Sequence, residues 1–283
     1  MMDKRNADGV SSSHEQEIQY LKKGKSMLGA IAGDIIGSVY EVENIRTTDF
    51  PLFVKESRFT DDTVLTVALA DSILHGADYA DSLKEYYNFY PQAGYGGSFI
   101  GWAASPSREP YNSWGNGSAM RVSPVGFAFD SLDTVLDRAR ESAAKTHNHP
   151  EGIKGAQATA SAIFLARTGK AKEEIRKFIE DHFGYSMDEC TDSLREHYQF
   201  DVSCQGSVPQ AITAFLESEN FIDAIRRAIS IGGDSDTIAC IAGGIAHAYY
   251  KEIPESVIDR VYQALDSRLS RIVKLFCDKF SCH

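Results

Sequence analysis

Apolar residues recur at helical spacing through most of the chain. Leu65, Ala68, Leu69 and Ile73 fall three or four positions apart, with Ser72 on the same side. That repeat sets one face of an α-helix against a core. Similar patterns predict helices over 132–144, 155–167, 175–182, 208–216 and 221–230, and a long amphipathic one over 256–280. Residues 238–250 are Ala, Gly and Ile on every side, which predicts a central helix buried all round. Near the start, Gly29, Gly33 and Gly37 recur every fourth residue. A glycine stripe costs helix propensity and is worth having where a second helix backbone must approach closely. Continuing by four reaches Glu41, and Asp34 lies seven before it on the same face.

Convincing period-two alternation is absent. The expected fold is therefore all-α, with about ten or more helices in one compact domain. No linker or internal repeat divides residues 27–283. Residues 1–26 are polar and mixed in charge, with Ser11-Ser12-Ser13 and Lys22-Lys23, and read as a mobile extension. Gly24-Lys25-Ser26 would end a P-loop only with glycine at position 19, and Gln19 stands there. Residues 86–130 break the helical rhythm with Gly, Pro, Ser and aromatics, from Tyr95-Gly96-Gly97-Ser98 to Pro110-Tyr111-Asn112-Ser113-Trp114-Gly115-Asn116-Gly117-Ser118. They read as one long irregular segment, ordered by its aromatics and functional by its length. Gly115 and Gly117 would let backbone amides approach a ligand. Of the two histidines in Thr146-His147-Asn148-His149-Pro150, one is expected to face a pocket or simply to pack.

Two acidic clusters change the picture. Thr60-Asp61-Asp62-Thr63 and Gly232-Gly233-Asp234-Ser235-Asp236-Thr237 each run into an apolar helix. One Asp or Thr per cluster is ordinary N-capping. The surplus carboxylates have no capping use, and they repel one another once desolvated. A hard divalent cation removes that cost, because Mg²⁺ prefers oxygen ligands. Neither cluster fills a coordination shell alone, whereas together they offer enough oxygen for two metals.

Charge and cysteines narrow the function further. Forty acids against 29 bases give a net charge of −11, which argues against a general nucleic-acid footprint. Cys190, Cys204, Cys240, Cys277 and Cys282 form no CxxC pair, so a thiolate zinc site is not expected. Free thiols, no signal-peptide pattern and no apolar run of membrane-spanning length suggest a soluble cytoplasmic protein.

Four segments taken in order resemble the ADP-ribosylglycohydrolase family: Gly33-Asp34-Ile35-Ile36-Gly37-Ser38-Val39-Tyr40-Glu41, Thr60-Asp61-Asp62-Thr63, Gly115-Asn116-Gly117-Ser118-Ala119-Met120-Arg121, and Gly232-Gly233-Asp234-Ser235-Asp236-Thr237. Thr146-His147 falls between the last two. The resemblance covers about residues 27–250. It implies a compact all-α fold with two Mg²⁺, or Mn²⁺, at the base of a cleft. It implies Thr60, Asp61, Asp62, Asp234, Asp236 and Thr237 as metal ligands, and Glu41 as the acidic residue beside the metals. It also implies that Gly115, Asn116, Gly117, Ser118, Met120 and His147 hold ADP-ribose.

Bond cleavage at a ribose passes through an oxocarbenium-like state that needs an anionic wall and a placed water. Asp62 or Glu41 would take that water's proton. Tyr111 or Trp114 would stack on adenine. The expected substrate is an ADP-ribosylated protein or small molecule, and the expected product is ADP-ribose. Two rival readings are a catalytically silent ADP-ribose-binding relative and another dimetal hydrolase acting on a nucleotide-type substrate.

Overall fold

The computed structural model describes residues 26–280. The expected extension therefore lies outside the described residues, apart from Ser26, which is buried. Helix α1 (Leu28–Gly37) is buried along its whole length. After a loop come α2 (Asp61–His75), α3 (Tyr79–Phe89), α4 (Gly97–Ala104), the short α5 (Gly117–Met120) and α6 (Ser123–Ala128). Then follow α7 (Leu132–Ala144), α8 (Pro150–Arg167), α9 (Lys172–Phe183), α10 (Thr191–His197) and α11 (Cys204–Glu217). The last elements are α12 (Phe221–Ser230), α13 (Ser235–Tyr250), α14 (Glu255–Ala264) and α15 (Ser267–Lys279). Among the described residues there are no strands, only an isolated bridge between Gly115 and Ser203.

Helix α13 is the axis of the molecule, buried from Ser235 to Ala248. It packs most extensively against α1, then against α12, α11 and α8. The glycine stripe explains the closeness of the first pair. A Cβ on Gly29 would stand 2.3 Å from the Gly243 carbonyl oxygen, and one on Gly243 would stand 2.3 Å from that of Gly29. A Cβ on Gly33 would meet the Ala239 oxygen at 2.1 Å, and one on Gly37 the Asp236 Cα at 2.5 Å. The two backbones touch, and the line of contact ends at an acidic residue. A single hydrophobic cluster joins these helices to the rest of the fold. Among the described residues, no helix is long and apolar enough to cross a membrane.

Two expectations need correction. Residues 86–130 are not one irregular segment, since the end of α3 and all of α4, α5 and α6 lie within them. Tyr87, Tyr95, Phe99, Trp102 and Tyr111 pack ring against ring there, in T-shaped, stacked and tilted pairs with centroids 5.1–6.5 Å apart. Packing of that kind overrides the weak helix propensity of Gly97-Ser98-Phe99-Ile100-Gly101. The long C-terminal helix is also two helices. Asp266 stops the pattern because its carboxylate accepts from the amides of Arg268 and Leu269, both at 2.9 Å, and starts α15 afresh.

Candidate active site

The C-terminal end of α1 meets the N-termini of α2 and α13, and each brings acid. Asp34, on the last turn of α1, is fully buried. Its carboxylate accepts from the Thr60 amide at 3.0 Å, the Thr60 hydroxyl at 2.6 Å, the Thr63 amide at 3.1 Å and the Thr63 hydroxyl. Asp34 thereby satisfies open donors at the start of α2 and ties α1 to it. Thr60 is the N-cap, with its oxygen accepting from the Asp62 amide at 3.3 Å. Across the site, Thr237 donates its hydroxyl to both oxygens of Asp62, at 2.9 and 3.1 Å, and so joins α13 to α2.

The turn before α13 is built for close approach. Gly232 and Gly233 both have left-handed backbone, at φ 77° and 72°. A Cβ on Gly233 would fall 2.4 Å from the Tyr198 ring. Asn44 clamps the turn, accepting from the Gly233 amide at 2.6 Å and donating to its carbonyl at 2.9 Å. Asp234 leaves that turn facing the cleft, where the Asn116 amide group donates to it at 2.7 Å and to Ser207 at 2.9 Å.

The carboxylates form two linked groups. Oxygens of Asp34, Asp62 and Asp236 lie within 4.8 Å of one another, as do those of Glu41, Asp234 and Asp236. Asp61 is partly exposed and lines the same cleft. Burial pushes Asp62 and Asp236 well above the usual carboxylate range, and neighbouring carboxylates push them further. Asp61 is pushed up to about 8 by burial and then by the charges of Asp34 and Asp234. Glu41 is raised by burial and then by Asp234. Asp34 is raised by burial against the opposing pull of its four hydrogen bonds.

Ion pairs among the described residues all lie elsewhere, so no Lys or Arg neutralises this set at contact distance. A hard divalent cation fits, because the donors are all oxygen and their repulsion is otherwise unrelieved. The threonines fit as well. Thr60 donates once and accepts once, and Thr237 only donates, so each hydroxyl keeps a lone pair for a metal.

Above this floor opens a cleft of about 840 Å³. Gly115, Asn116, Gly117, Met120, Tyr111 and His147 line it, with Thr60, Thr237, Glu41 and four of the aspartates. Ser118 is turned the other way. It is fully buried, and its hydroxyl donates to the Gly152 carbonyl at 2.7 Å, which fastens the loop to α8. The histidines divide their roles. His147 lies at the cleft with its ring 5.8 Å from that of Tyr111, while His149 caps α8 by accepting from the Glu151 amide at 3.1 Å. Trp114 is 55% exposed, rests against His149 and does not line the cleft, which leaves Tyr111 of the two aromatics expected to stack.

Three residues here escaped the sequence reading as site residues. Asp34 was visible only as an acid on the glycine face. Arg121, which also lines the cleft, was visible only as the end of a motif. Asn44, in a loop with no helical period, gave no signal.

The fold and site have counterparts among known proteins. The sequence profile described as ADP-ribosylglycohydrolase matches residues 22–281. The protein named ADP-ribosylhydrolase ARH3 from Mus musculus is 30% identical, over 81% of this chain and 84% of its own length. ADP-ribosylarginine hydrolase Tri1 from Pseudomonas putida is 26% identical, over 82% of this chain and 71% of its own. A solved structure titled ADP-ribosylglycohydrolase-related protein complex superposes with a TM-score of 0.66 at 25% identity, covering 90% of this chain and 96% of that one.

Proposed function

The chain belongs to the ADP-ribosylglycohydrolase family, and from that premise we propose that it is a divalent-metal-dependent hydrolase that releases ADP-ribose from an ADP-ribosylated protein or small molecule. The observation that carries this reading is the pair of carboxylate groups converging on the floor of a cleft walled by a Gly-Asn-Gly loop. Thr60, Asp61, Asp62, Asp234, Asp236 and Thr237 would hold two Mg²⁺ or Mn²⁺ ions. Asp34 supports them by orienting Thr60. When bound, such ions supply Lewis-acid polarisation of ribose hydroxyls and of the attacking water.

The protein's own groups do the rest. Glu41 stands at the edge of the acidic set, where its charge offsets positive charge growing at the ribose carbon. Burial and Asp234 raise its proton affinity, which suits it to accept a proton from water. Asp62 is the second candidate base, oriented by the Thr237 hydroxyl. Water adds its oxygen to the ribose carbon, the bond to the acceptor breaks, and the acceptor leaves with a proton. Gly115, Asn116, Gly117 and Met120, with His147, hold the diphosphate and ribose, Ser118 anchors their loop to α8, and Tyr111 supports the adenine side. We place this activity in the cytoplasm, where the free thiols of Cys190, Cys204, Cys240 and Cys277 would stay reduced.

The test is a panel of ADP-ribosylated acceptors, carrying arginine, serine and O-acetyl linkages, incubated with protein and Mg²⁺. Free ADP-ribose from at least one of them, abolished by a chelator, is expected. Release that ignores the chelator would remove the metal from the mechanism. No release from any acceptor, with ADP-ribose still bound, would make the protein a silent binding relative.

A further inference from the structure

Arg121 is fully buried and follows directly on α5. Its Nη2 donates to the Ser142 carbonyl at 3.1 Å and to the Thr146 hydroxyl at 2.8 Å. Its Nε and Nη1 meet no acceptor, and no carboxylate pairs with it among the described residues. A cation buried without a counter-ion is costly, so its retention asks for a use. The Thr146 hydroxyl lies 2.7 Å from Nδ1 of His147. Guanidinium can only donate, so Thr146 accepts from it with one lone pair. The positive charge then polarises the remaining O–H, which favours donation onward to His147 Nδ1. The Tyr111 hydroxyl faces the same threonine and competes for that proton. The far ring nitrogen, Nε2, is turned toward the glycine loop. A Cβ on Gly117 would stand 3.1 Å from it, and one on Gly115 3.6 Å.

We propose that Arg121, acting through Thr146, fixes His147 in the tautomer that donates from Nε2 into the cleft. The ligand group met by His147 is then restricted to a hydrogen-bond acceptor, such as a phosphate or hydroxyl oxygen. Arg121 and Thr146 are positioning residues in this relay, since both act through His147. The relay rests on the geometry alone. Its consequence for affinity rests on the proposed ADP-ribose reading.

The experiment is nitrogen-15 spectroscopy of the histidine rings in ligand-free protein, with His147 assigned by its loss in His147→Asn. Nδ1 is expected without a proton and displaced by an accepted hydrogen bond. That displacement should vanish in Thr146→Val and persist in Thr146→Ser. Arg121→Lys should reduce it. ADP-ribose affinity should fall about tenfold in Thr146→Val, the scale of one lost buried hydrogen bond, and recover to within about twofold in Thr146→Ser. A proton on Nδ1 of the wild-type ring overturns the proposal. So does a Thr146→Val or Arg121→Lys spectrum identical to wild type. Should Thr146→Val fail to fold, the wild-type tautomer and the Arg121→Lys spectrum still decide. Wild-type protein that fails to bind ADP-ribose would sink the functional reading while leaving the ring measurement to judge the relay.

Discussion

At the scale of the residue, Asp34 and Asn116 hold the acids rather than react. Asn116 donates one amide hydrogen to Asp234 and the other to Ser207, which pins the side chain between a loop and α11. Asn116→Ala should therefore lower metal affinity by about 10–100-fold, the scale on which supporting hydrogen bonds act at metal sites. Calorimetric titration with Mg²⁺ or Mn²⁺ measures it, and unchanged affinity would leave Asn116 to the ligand alone. Glu41 should behave differently. Glu41→Gln keeps size and most hydrogen bonds but loses charge, so single-turnover hydrolysis should fall about a hundredfold or more. ADP-ribose binding should change far less, because ground-state contacts remain. The doubled carboxylates were legible in the sequence because capping uses only one of them. The supporting partners were not, because Asn44, Ser207 and Arg121 are chosen by contacts 91 or more positions away for the first two, and by burial for the third.

At the scale of the element, the contact of α1 with α13 sets where every acid stands. Gly33 precedes Asp34, and its missing side chain is what lets the two backbones meet. Gly33→Ala should cost about 1–3 kcal/mol, the usual scale for overpacking a filled interior. It should also weaken metal binding by shifting Asp34. Gly101→Ala on α4 is the control. A Cβ there meets nothing within 4 Å, so it should gain about 0.5–1 kcal/mol from helix propensity. Denaturant melts of both variants check the pair, and equal effects would refute the close-approach account. Helices with a strong period were legible. The break at Asp266 was not, because the apolar spacing runs through it and only the side-chain cap ends it. Helices α3 and α10 also escaped, being short and rich in polar residues.

At the scale of the whole molecule, the acidic set and the metal site proposed for it predict that stability depends on pH and metal together. Asp61 has its proton affinity raised from an ordinary value of 3.8 to about 8, chiefly by burial. A carboxyl raised in the fold contributes stability that is fully present below its unfolded value and is lost as pH rises through its folded one. The metal-free protein should therefore lose stability across about pH 4–8, with Asp62 and Asp236 adding in the same direction. Metal displaces those protons, so its stabilisation should grow with pH over that window. At a hundredfold excess over Kd, mass action gives about 2.7 kcal/mol, on the order of 5–10 °C in Tm for a domain of this size. A metal-induced Tm shift that stays flat or shrinks from pH 6 to 8 would contradict this. The convergence of clusters at Asp62 and Thr237, 175 positions apart in sequence, was foreseeable from their chemistry, since neither could fill a metal shell alone. Pocket walls formed by loops of no fixed period were not. The most direct measurement is single-turnover release of ADP-ribose while Mg²⁺ is titrated, in wild type and in Asp236→Asn. Release should rise from near zero and saturate with Mg²⁺ in the wild type, and stay at least about a hundredfold lower in the variant at any concentration. Equal release from both proteins, or full release without metal, would contradict a two-metal site.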